Sequence, residues 1–413
     1  MDTSEGPSRS SSIPCSTPGR IIIGVDFGTT GTGISVILVE GQDGTTCSGC
    51  VTQWLSGANQ PKVPSRIAYA RNNPSFSMPS SCWGFEIQPN MNACSWTKLL
   101  LDHKAELAEF DDEVLRAAVS LGMFHPANYL QHVLNFAWRT IRQELGVALD
   151  RLPINLLFTV PAMWFQKSRI LSNQAVTRAW RDKRPQDTIT LMSEPEAAAE
   201  AVYKLHRSEL QVGDGVLICD CGGGTVDIST YLITDCDQFS LSRIASVQGG
   251  KCGGTAIDSR LYELLSKRLP SAFKYLNYLI APGSKFSCTF EGVKQVFGGD
   301  EGKDIFRLPL DLRRGQRACT LPYFDPARKE LILSREDVQN LFDPVIAKII
   351  SLINSQIMAA GKEYGSPVIN VASKNISRRR WRVTTWSTGR RSSSVEESSA
   401  LWTWDSSATP PWV

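Results

Sequence analysis

The sequence predicts an α/β protein made of two similar halves, and three observations support this fold class. A strand that ends on Asp26, a Gly/Thr turn and a second strand follow one another over 20–39. The same order of strand, acid-tipped glycine turn and strand returns over 216–231. Apolar residues with helical spacing lie between and after these segments, over 111–145 and 338–353. Strands that alternate with helices in this way are typical of α/β proteins.

The second of these segments has the composition of a phosphate-binding hairpin. An apolar run ends on Asp220, three glycines follow, and strand-like alternation resumes at Thr225. Only glycine lets successive backbone N–H groups come this close to a bulky anion. Asp220 and Asp227 would repel a phosphate, so we expect a divalent cation with its water shell to lie between them and the anion. The phosphate contacts expected here are Gly222, Gly223, Gly224 and Thr225.

The first segment supplies a matching set of residues. Asp26 is followed by Gly28, Thr29 and Thr30, so the chain carries one such hairpin in each half. The economical interpretation is that both hairpins close on one nucleotide. The two motifs, D-x-G-T-T and D-x-G-G-G-T-x-D, resemble those of the actin, hexokinase and heat-shock-protein-70 superfamily. The resemblance implies a two-lobed, duplicated actin-like ATPase (ribonuclease H-like) fold with an incomplete second lobe. It also implies ATP and Mg²⁺ as ligands, the metal being held through water by Asp26 and Asp220.

The resemblance also divides the chain into lobes. The Ser-, Pro- and Thr-rich stretch 1–19 is expected to be a disordered tail, because it cannot bury enough apolar area to order itself. The expected units are a first lobe, 20–205, with an inserted subdomain at about 55–130, a second lobe, 206–370, with an inserted subdomain at about 256–335, and an aberrant or disordered tail, 371–413.

Composition narrows the classes of function. The net charge of +3 comes from 376–413, which holds six Arg and three acids and leaves 38 basic and 38 acidic residues elsewhere. The globular part therefore offers no electrostatic case for nucleic acid.

No apolar run suggests a membrane span, and the start of the chain lacks the pattern of a secretory signal, so we expect a cytoplasmic protein. Cys47 and Cys50 form the one C-x-x-C, which is more typical of a plain loop than of a zinc site without further ligands.

A lone lysine, Lys98, lies in the apolar setting 95–102. From composition alone it could equally extend its ammonium from a core element towards solvent. The resemblance implies the catalytic lysine of the inserted subdomain, which positions the attacking water and the γ-phosphate as a compact positive charge.

A helix is expected to begin at Glu194. Ser193 and Glu196 have the spacing of a capping box, and Pro195 lies in the first turn, where its missing N–H costs nothing. The resemblance implies that this E-P-x-A-A-A stretch is the first connection between the lobes and that Glu194 faces the metal-bound water. The alternative is that Glu194 only supports the helix dipole.

The resemblance also suggests roles for residues outside the two hairpins. It implies that Pro161 and Arg169 couple the nucleotide state to the rest of the molecule. It further implies that Gly253 and Gly254 contact phosphate and ribose, and that Glu291 and Lys294 contact adenosine, although their spacing is also that of an ordinary solvated i,i+3 pair. The histidines match no metal-ligand spacing, so we expect them in the surface or the core.

The end of the chain departs from the superfamily pattern. Ser334 caps an amphipathic helix in which Pro344 marks a kink or a boundary. Beyond a short strand at 366–371 the expected Gly-Gly turn for adenine is missing. The stretch 376–413 holds five of the eleven tryptophans and has neither helical nor strand period. A basic run, 378–382, suits an anion site or a nuclear signal, but a tail from a shifted reading frame or a retained intron explains the composition better.

The function expected from the sequence is that of an ATP-binding, ATP-hydrolysing heat-shock-70-like protein, of the divergent type without a peptide-binding domain, that acts as a nucleotide-dependent switch. Lys98, Glu194 and Asp220 would be its catalytic residues. The alternatives are a nucleotide-binding scaffold, a truncated inactive relative, or a small-molecule kinase of the same superfamily. The kinase would need a sugar pocket with an aspartate base, and the E-P-x-A-A-A stretch argues against it.

Overall fold

The computed structural model describes twelve stretches of the chain. They are 19–40, 45–54, 59–102, 126–145, 152–180, 187–206, 210–237, 240–298, 304–312, 322–364, 369–374 and 381–386. The first tail, the N-terminal part of the expected helical region 111–145 and most of 376–413 lie outside these residues, as do His103 and His125.

The first hairpin belongs to a six-stranded sheet in the N-terminal half. Its path is β3-β2-β1-β8-β9, and β4 pairs with β2 at one side. The central strand β1 is antiparallel to β2 and parallel to β8. The strands are β1 (Arg20–Phe27), β2 (Gly31–Glu40), β3 (Thr45–Cys50), β4 (Val63–Pro64), β8 (Ile154–Val160) and β9 (Thr188–Ser193).

The second hairpin belongs to a six-stranded sheet with a similar strand order, but its outer pair β17–β18 is antiparallel, whereas the outer pair β8–β9 of the first sheet is parallel. Its path is β12-β11-β10-β17-β18, and β13 pairs with β11 at one side. Here β10 is central, antiparallel to β11 and parallel to β17. The strands are β10 (Gly215–Cys221), β11 (Val226–Asp235), β12 (Ser240–Arg243), β13 (Gln248–Gly250), β17 (Ile369–Lys374) and β18 (Trp381–Trp386).

Two three-stranded sheets and a set of helices complete the described fold. The first small sheet has the order β6-β5-β7 and the second β14-β16-β15. Their strands are β5 (Ile67–Tyr69), β6 (Ser81–Trp83), β7 (Ala93–Cys94), β14 (Ile305–Pro309), β15 (Phe324–Asp325) and β16 (Glu330–Ser334). The helices are α1 (Pro126–Leu145), α2 (Gln166–Trp180), α3 (Glu194–His206), α4 (Gly254–Arg268), α5 (Pro270–Phe273), α6 (Asn277–Ile280), α7 (Lys285–Val296) and α8 (Arg335–Tyr364), with 3₁₀ turns at Ala70–Asn72, Gly84–Glu86 and Thr97–Leu101.

Each large sheet has its own apolar core. In the first, Phe27, Phe158 and Tyr129 are fully buried, and the rings of Phe27 and Tyr129 stack with centroids 5.8 Å apart. In the second, one face of β10 and β11 packs with α4, α7, α8 and the small sheet β14-β16-β15 in a single cluster. Because β1 and β10 each carry an acid at their carboxyl end, both cores hold an acidic strand end in place.

The helix starts expected from capping patterns are confirmed. The Ser193 hydroxyl accepts the Glu196 N–H at 3.3 Å and the Glu196 carboxylate accepts the Ser193 N–H at 3.2 Å, so α3 begins with a capping box. Ser334 and Asp337 make the same reciprocal pair at the start of α8, at 3.0 and 2.9 Å. Local side-chain chemistry thus sets both boundaries.

Pro344 is not a boundary, because α8 continues through it as one helix of 30 residues. Proline at this position removes the N–H that would have bonded to the Asn340 carbonyl four residues earlier. The Nη2 of Arg260, on α4, donates to that carbonyl at 3.2 Å. A neighbouring helix therefore satisfies the acceptor that the proline leaves.

The expectation that no strand occurs within 376–413 is wrong for Trp381–Trp386, which pairs antiparallel with β17. The segment W-R-V-T-T-W is rich in β-branched and aromatic residues, which favour strands. Apolar and polar residues alternate only over W-R-V-T, so this short signal is outweighed by the Arg-, Ser- and Thr-rich composition of the surrounding stretch.

One helix in the described part of the chain is long and apolar enough to cross a membrane, namely Arg335–Lys362 within α8. The sequence analysis expected no such run. The same helix buries Val338, Leu341 and Val345 in the second core. Core helices pass the same test of length and composition, so this is weak evidence for a membrane span.

Replacing Ser334 with alanine tests the importance of the α8 cap. We expect Ser334→Ala to lower the free energy of unfolding by about 0.5–2 kcal/mol, because the Asp337 N–H loses its acceptor. Urea denaturation followed by circular dichroism measures the change. Thr289→Ala is the control, since that exposed hydroxyl only bonds back to the Lys285 carbonyl within α7. Equal losses in the two variants would contradict the capping role.

Candidate functional site

The first hairpin turn is tightly closed after Asp26. The Gly28 N–H donates to the Asp26 and Gly31 carbonyls at 3.1 and 3.2 Å. A β-carbon on Gly28 would lie 2.5 Å from the Gly31 carbonyl oxygen, so no larger residue fits without moving the backbone. Thr29, at the tip, is buried although it is polar. The turn thus depends on glycine at this position.

The second hairpin turn is closed in the same way after Asp220. Asp220 and Asp227 face each other across β10 and β11, and the Gly222 N–H donates to the Thr225 carbonyl at 2.9 Å. The Thr225 hydroxyl donates to the Asp227 carboxylate at 3.2 Å. Both acids are buried, which places two carboxylates at the base of this glycine turn.

Gly253 and Gly254 lie directly against the second turn. The Gly254 N–H donates to the Gly222 carbonyl at 3.1 Å, and a β-carbon on Gly253 would lie 2.5 Å from the same oxygen. The Thr255 N–H donates to the Gly223 carbonyl at 2.7 Å. The start of α4 therefore holds the shape of the turn, while direct contacts of these glycines with phosphate and ribose stay a prediction.

The two turns meet, although about 190 residues separate them along the chain. A β-carbon on Gly223 would lie 2.3 Å from Oγ1 of Thr30, and one on Gly224 would lie 2.8 Å from Oγ1 of Thr29. The glycine backbone of the second hairpin thus packs against the threonine side chains of the first. The structure brings both acid-tipped hairpins to one place, as the interpretation of one shared site requires.

Lys98 and Glu194 form an ion pair inside the protein. Lys98 lies in the 3₁₀ turn Thr97–Leu101 and Glu194 at the first position of α3, and both side chains are almost fully buried. Burial lowers the pKa of Lys98, but Glu194, aided by Asp26 and Asp227, outweighs this effect and raises it overall. The lysine therefore stays charged. The Trp164 ring, 5.7 Å from Nζ, covers the same ammonium.

The acids around this pair carry more negative charge than the lysines balance. Burial, followed by the charge of Glu194, raises the pKa of Asp227 to about 7, although Lys98 and the Thr225 hydroxyl act in the opposite direction. Burial also raises the pKa of Glu194, helped by Asp220 and Asp26 and opposed by Lys98. These residues thus share one electrostatic environment that favours an additional cation.

Lys62 is a site residue that the sequence analysis missed. Its Nζ lies 2.5 Å from Oδ2 of Asp26, at the end of β1. The neighbouring residues Val63 and Pro64 form β4, which pairs with β2 next to the turn. A two-residue strand leaves no periodic signal, so only the strand pairing in space reveals that this lysine reaches the hairpin.

The residues present fit a hydrated divalent cation with a polyphosphate. Four carboxylates, of Asp26, Glu194, Asp220 and Asp227, lie with two ammonium groups, of Lys62 and Lys98, so the acids outnumber the lysines and a bound cation would offset the excess. Over the described ranges, no group of three or more His, Cys, Asp or Glu is arranged to ligate a metal directly. Binding of a metal through its water shell stays a prediction, as do phosphate contacts of the two closed turns, in which the Gly28 and Gly222 N–H groups already bond to carbonyls.

Glu291 and Lys294 are engaged in contacts between helices. Nζ of Lys294 lies 2.7 Å from Asp258 on α4 and 2.7 Å from Glu291 one turn away on α7. Lys294 is buried, whereas about half of the Glu291 side chain is exposed. This arrangement links α4 to α7, and the expected adenosine contact of the two residues stays a prediction.

The segment that begins at Pro161 joins the first half to the second sheet. The Pro161 carbonyl accepts the Trp164 N–H at 3.2 Å, and a β-carbon on Gly249 of β13 would lie 2.4 Å from the Met163 sulfur. Arg169 lies in the first turn of α2. Pro161 is thus near a contact between the halves, and its role in coupling, like that of Arg169, is untested.

A buried arginine makes a second link between the halves. Arg66 follows β4, and its Nε donates to the Ser95 hydroxyl at 3.1 Å. Its Nη1 donates to the Pro282 carbonyl, between α6 and α7, at 2.7 Å. A charge-assisted bond over this sequence distance fixes the inserted segment of the first half against the helices of the second.

Comparison with known proteins gives weak similarity to one group. The chain is 23% identical to human heat shock 70 kDa protein 12A over 60% of this chain and 45% of that protein. It is 22% identical to human heat shock 70 kDa protein 12B over 86% of this chain and 63% of that protein. Against heat shock 70 kDa protein 13 of Bos taurus it is 33% identical over 30% of this chain and 23% of that protein. No family model matches the chain.

The chain therefore spans about half the length of these curated relatives. The similarity suggests an Hsp70-like, actin-type ATPase domain, and the mixed α/β architecture with several sheets is consistent with an actin-like ATPase fold. The sequence similarity supports no more than a nucleotide-binding protein of the Hsp70-like ATPase type.

Asp258 gives the stability of the protein a specific pH dependence. Burial raises its pKa to about 6 from 3.8, despite the opposing charge of Lys294. An acid whose pKa is higher in the folded state binds its proton more tightly there, so its contribution to stability falls as the pH rises from about 4 to 6. Over this pH range we expect the free energy of unfolding of the wild type to fall by about 1–3 kcal/mol relative to that of Asp258→Asn. Urea denaturation at pH 4, 5, 6 and 7 measures it, and a difference that stays constant with pH would contradict the assignment.

Proposed function

We propose that the chain binds Mg²⁺·ATP between its two glycine hairpins and hydrolyses it as an Hsp70-like nucleotide-dependent switch. The observation that carries this proposal is the contact of the Gly223–Gly224 backbone with Thr29 and Thr30. Glycine turns can bind anions, and each of these turns has an acid at its base. Together they suit a metal polyphosphate better than a single turn would.

The similar strand orders of the two large sheets support a duplicated, two-lobed architecture. In both sheets an antiparallel hairpin lies beside a parallel strand, with a short strand paired at one side. On this proposal, the first lobe is 20–205, the second begins at 206 and extends beyond the expected boundary at 370 to include β17 and β18, and the nucleotide binds where their hairpins meet. Arg66 and the segment at Pro161 would then connect the lobes on either side of the nucleotide.

The acids and the buried lysine have distinct roles in the proposed reaction. Asp26, Asp220 and Glu194 would hold the hydrated metal, which would neutralise phosphate charge when bound. Lys98, kept protonated by Glu194, positions the attacking water beside the γ-phosphate. Such sites act mainly through positioning and fixed charge, so a rigid buried pair suits them.

Calorimetry with Mg²⁺·ATP tests the proposal. We expect wild type to bind with a dissociation constant in the micromolar range, about −8 kcal/mol, and to release phosphate on prolonged incubation. Asp220→Asn should weaken binding of the metal complex by tenfold or more, because a charge that faces the hydrated cation is lost. Binding without phosphate release would favour the scaffold, and absence of binding would favour the truncated, inactive relative.

Gly223→Ala tests whether the contact between the turns is needed. The new β-carbon would overlap Oγ1 of Thr30, so the hairpins must separate. We expect Mg²⁺·ATP affinity to fall by about tenfold or more, equivalent to about 1.4 kcal/mol. Gly361→Ala is the matched control, because that glycine lies in α8 with open space where a β-carbon would be added. Unchanged affinity in folded Gly223→Ala would contradict a site between the hairpins.

A further inference from the structure

Lys62 is attached firmly to the first hairpin turn through its neighbours in the chain. The Ser65 hydroxyl donates to the Gly28 carbonyl at 2.7 Å, and the Ser65 N–H donates to the Thr30 carbonyl at 3.0 Å. The buried Tyr129 hydroxyl donates to the Pro64 carbonyl at 3.1 Å. These bonds join the segment 62–65 to the turn that is expected to hold phosphate, so Lys62 belongs to the turn rather than to a separate loop.

The side chain of Lys62 extends along a surface made by two glycines. A β-carbon on Gly31 would lie 3.3 Å from Cβ of Lys62, and one on Gly33 would lie 3.5 Å from its Cγ. The aliphatic stem therefore fits where these glycines lack side chains. This packing directs the ammonium to Asp26, which lies opposite Gly33 across β1 and β2.

The two lysines of the site differ in their freedom to change partners. The Lys98 and Glu194 side chains are only 6% and 11% exposed, so their pair is fixed. The Lys62 and Asp26 side chains are 32% and 37% exposed. The Lys62 side chain is flexible and its ammonium is strongly hydrated. Breaking its ion pair with the solvent-accessible Asp26 carboxylate therefore costs little free energy.

We propose that Lys62 makes the site select a metal–polyphosphate complex over a free divalent cation, an inference that rests on the proposed function. A free cation that approaches Asp26 competes with the ammonium, which gains only water when it is displaced. When a polyphosphate arrives with the cation, the displaced ammonium finds anionic oxygens beside the turn at Gly28. The same lysine thus opposes binding of the metal alone and favours binding of the complex.

Opposite shifts in two affinities test this proposal. Lys62→Met keeps the stem over the glycines and removes the charge. Titrations of Mn²⁺ alone, followed by electron paramagnetic resonance, and of Mg²⁺·ATP, followed by calorimetry, give the two dissociation constants. We expect the variant to bind Mn²⁺ about threefold or more tightly than wild type and Mg²⁺·ATP about tenfold or more weakly. A residue that only supported the fold would weaken both.

Two further variants complete the design. Lys329→Met removes an exposed lysine that is 2.7 Å from Asp311, and we expect it to change neither affinity. Lys62→Arg keeps the charge, and we expect its ratio of the two affinities to stay within about threefold of wild type. It also keeps the comparison informative if Lys62→Met does not fold.

The possible failures are distinguishable. If wild type binds Mg²⁺·ATP but Lys62→Met shifts both affinities in one direction, or neither, the selective role of Lys62 is overturned and the nucleotide site stands. A Lys62→Arg ratio that departs from wild type by tenfold overturns it in the same way. If wild type binds neither Mn²⁺ nor Mg²⁺·ATP, both proposals are overturned.

Discussion

The close approach of two glycine turns to two threonines is the constraint on which the candidate site depends. Gly223 and Gly224 lie so near Thr30 and Thr29 that any β-carbon would overlap a hydroxyl. Gly28 and Gly253 are held as tightly against the carbonyls of their own halves. A residue larger than glycine in place of Gly223 or Gly224 would push the tips of the two hairpins apart. These glycines therefore matter for two reasons: they let the two hairpins approach each other closely, and their backbone is conformationally free.

The electrostatics of the site follow from this approach. Once the hairpins meet, Asp26, Asp220 and Asp227 share a region with Glu194, and burial makes their mutual repulsion costly. Lys98 offsets part of that cost from inside the protein, and Lys62 does so from the more exposed side. An excess of buried negative charge is unfavourable for folding alone, and it is what a cation site requires.

The sequence predicts the hairpins and helix starts well because each is set by local chemistry. The acid, the glycines and the alternation around Asp220 lie within a dozen residues, and the Ser193 capping box within four. Lys62 was missed because its partner, Asp26, is 36 residues away and the adjacent strand, β4, has two residues. The carbonyl that Pro344 leaves without its helix partner is bonded by Arg260, which is 80 residues away in sequence. Long-range pairing of this kind has no signature in a single sequence.

Helix α8 connects two parts of the molecule that are far apart along the chain, the small sheet β14-β16-β15 and strand β13. It starts at Ser334, the last residue of β16, and a β-carbon on Gly250 of β13 would lie 3.5 Å from Lys348 and 3.7 Å from Leu352 within it. Gly250 is three residues before Gly253, which presses on the second turn. At 1.5 Å per residue the helix is about 45 Å long. Because α8 follows β16 directly and packs against β13, one rigid helix joins the small sheet β14-β16-β15 to the strand that leads into Gly253.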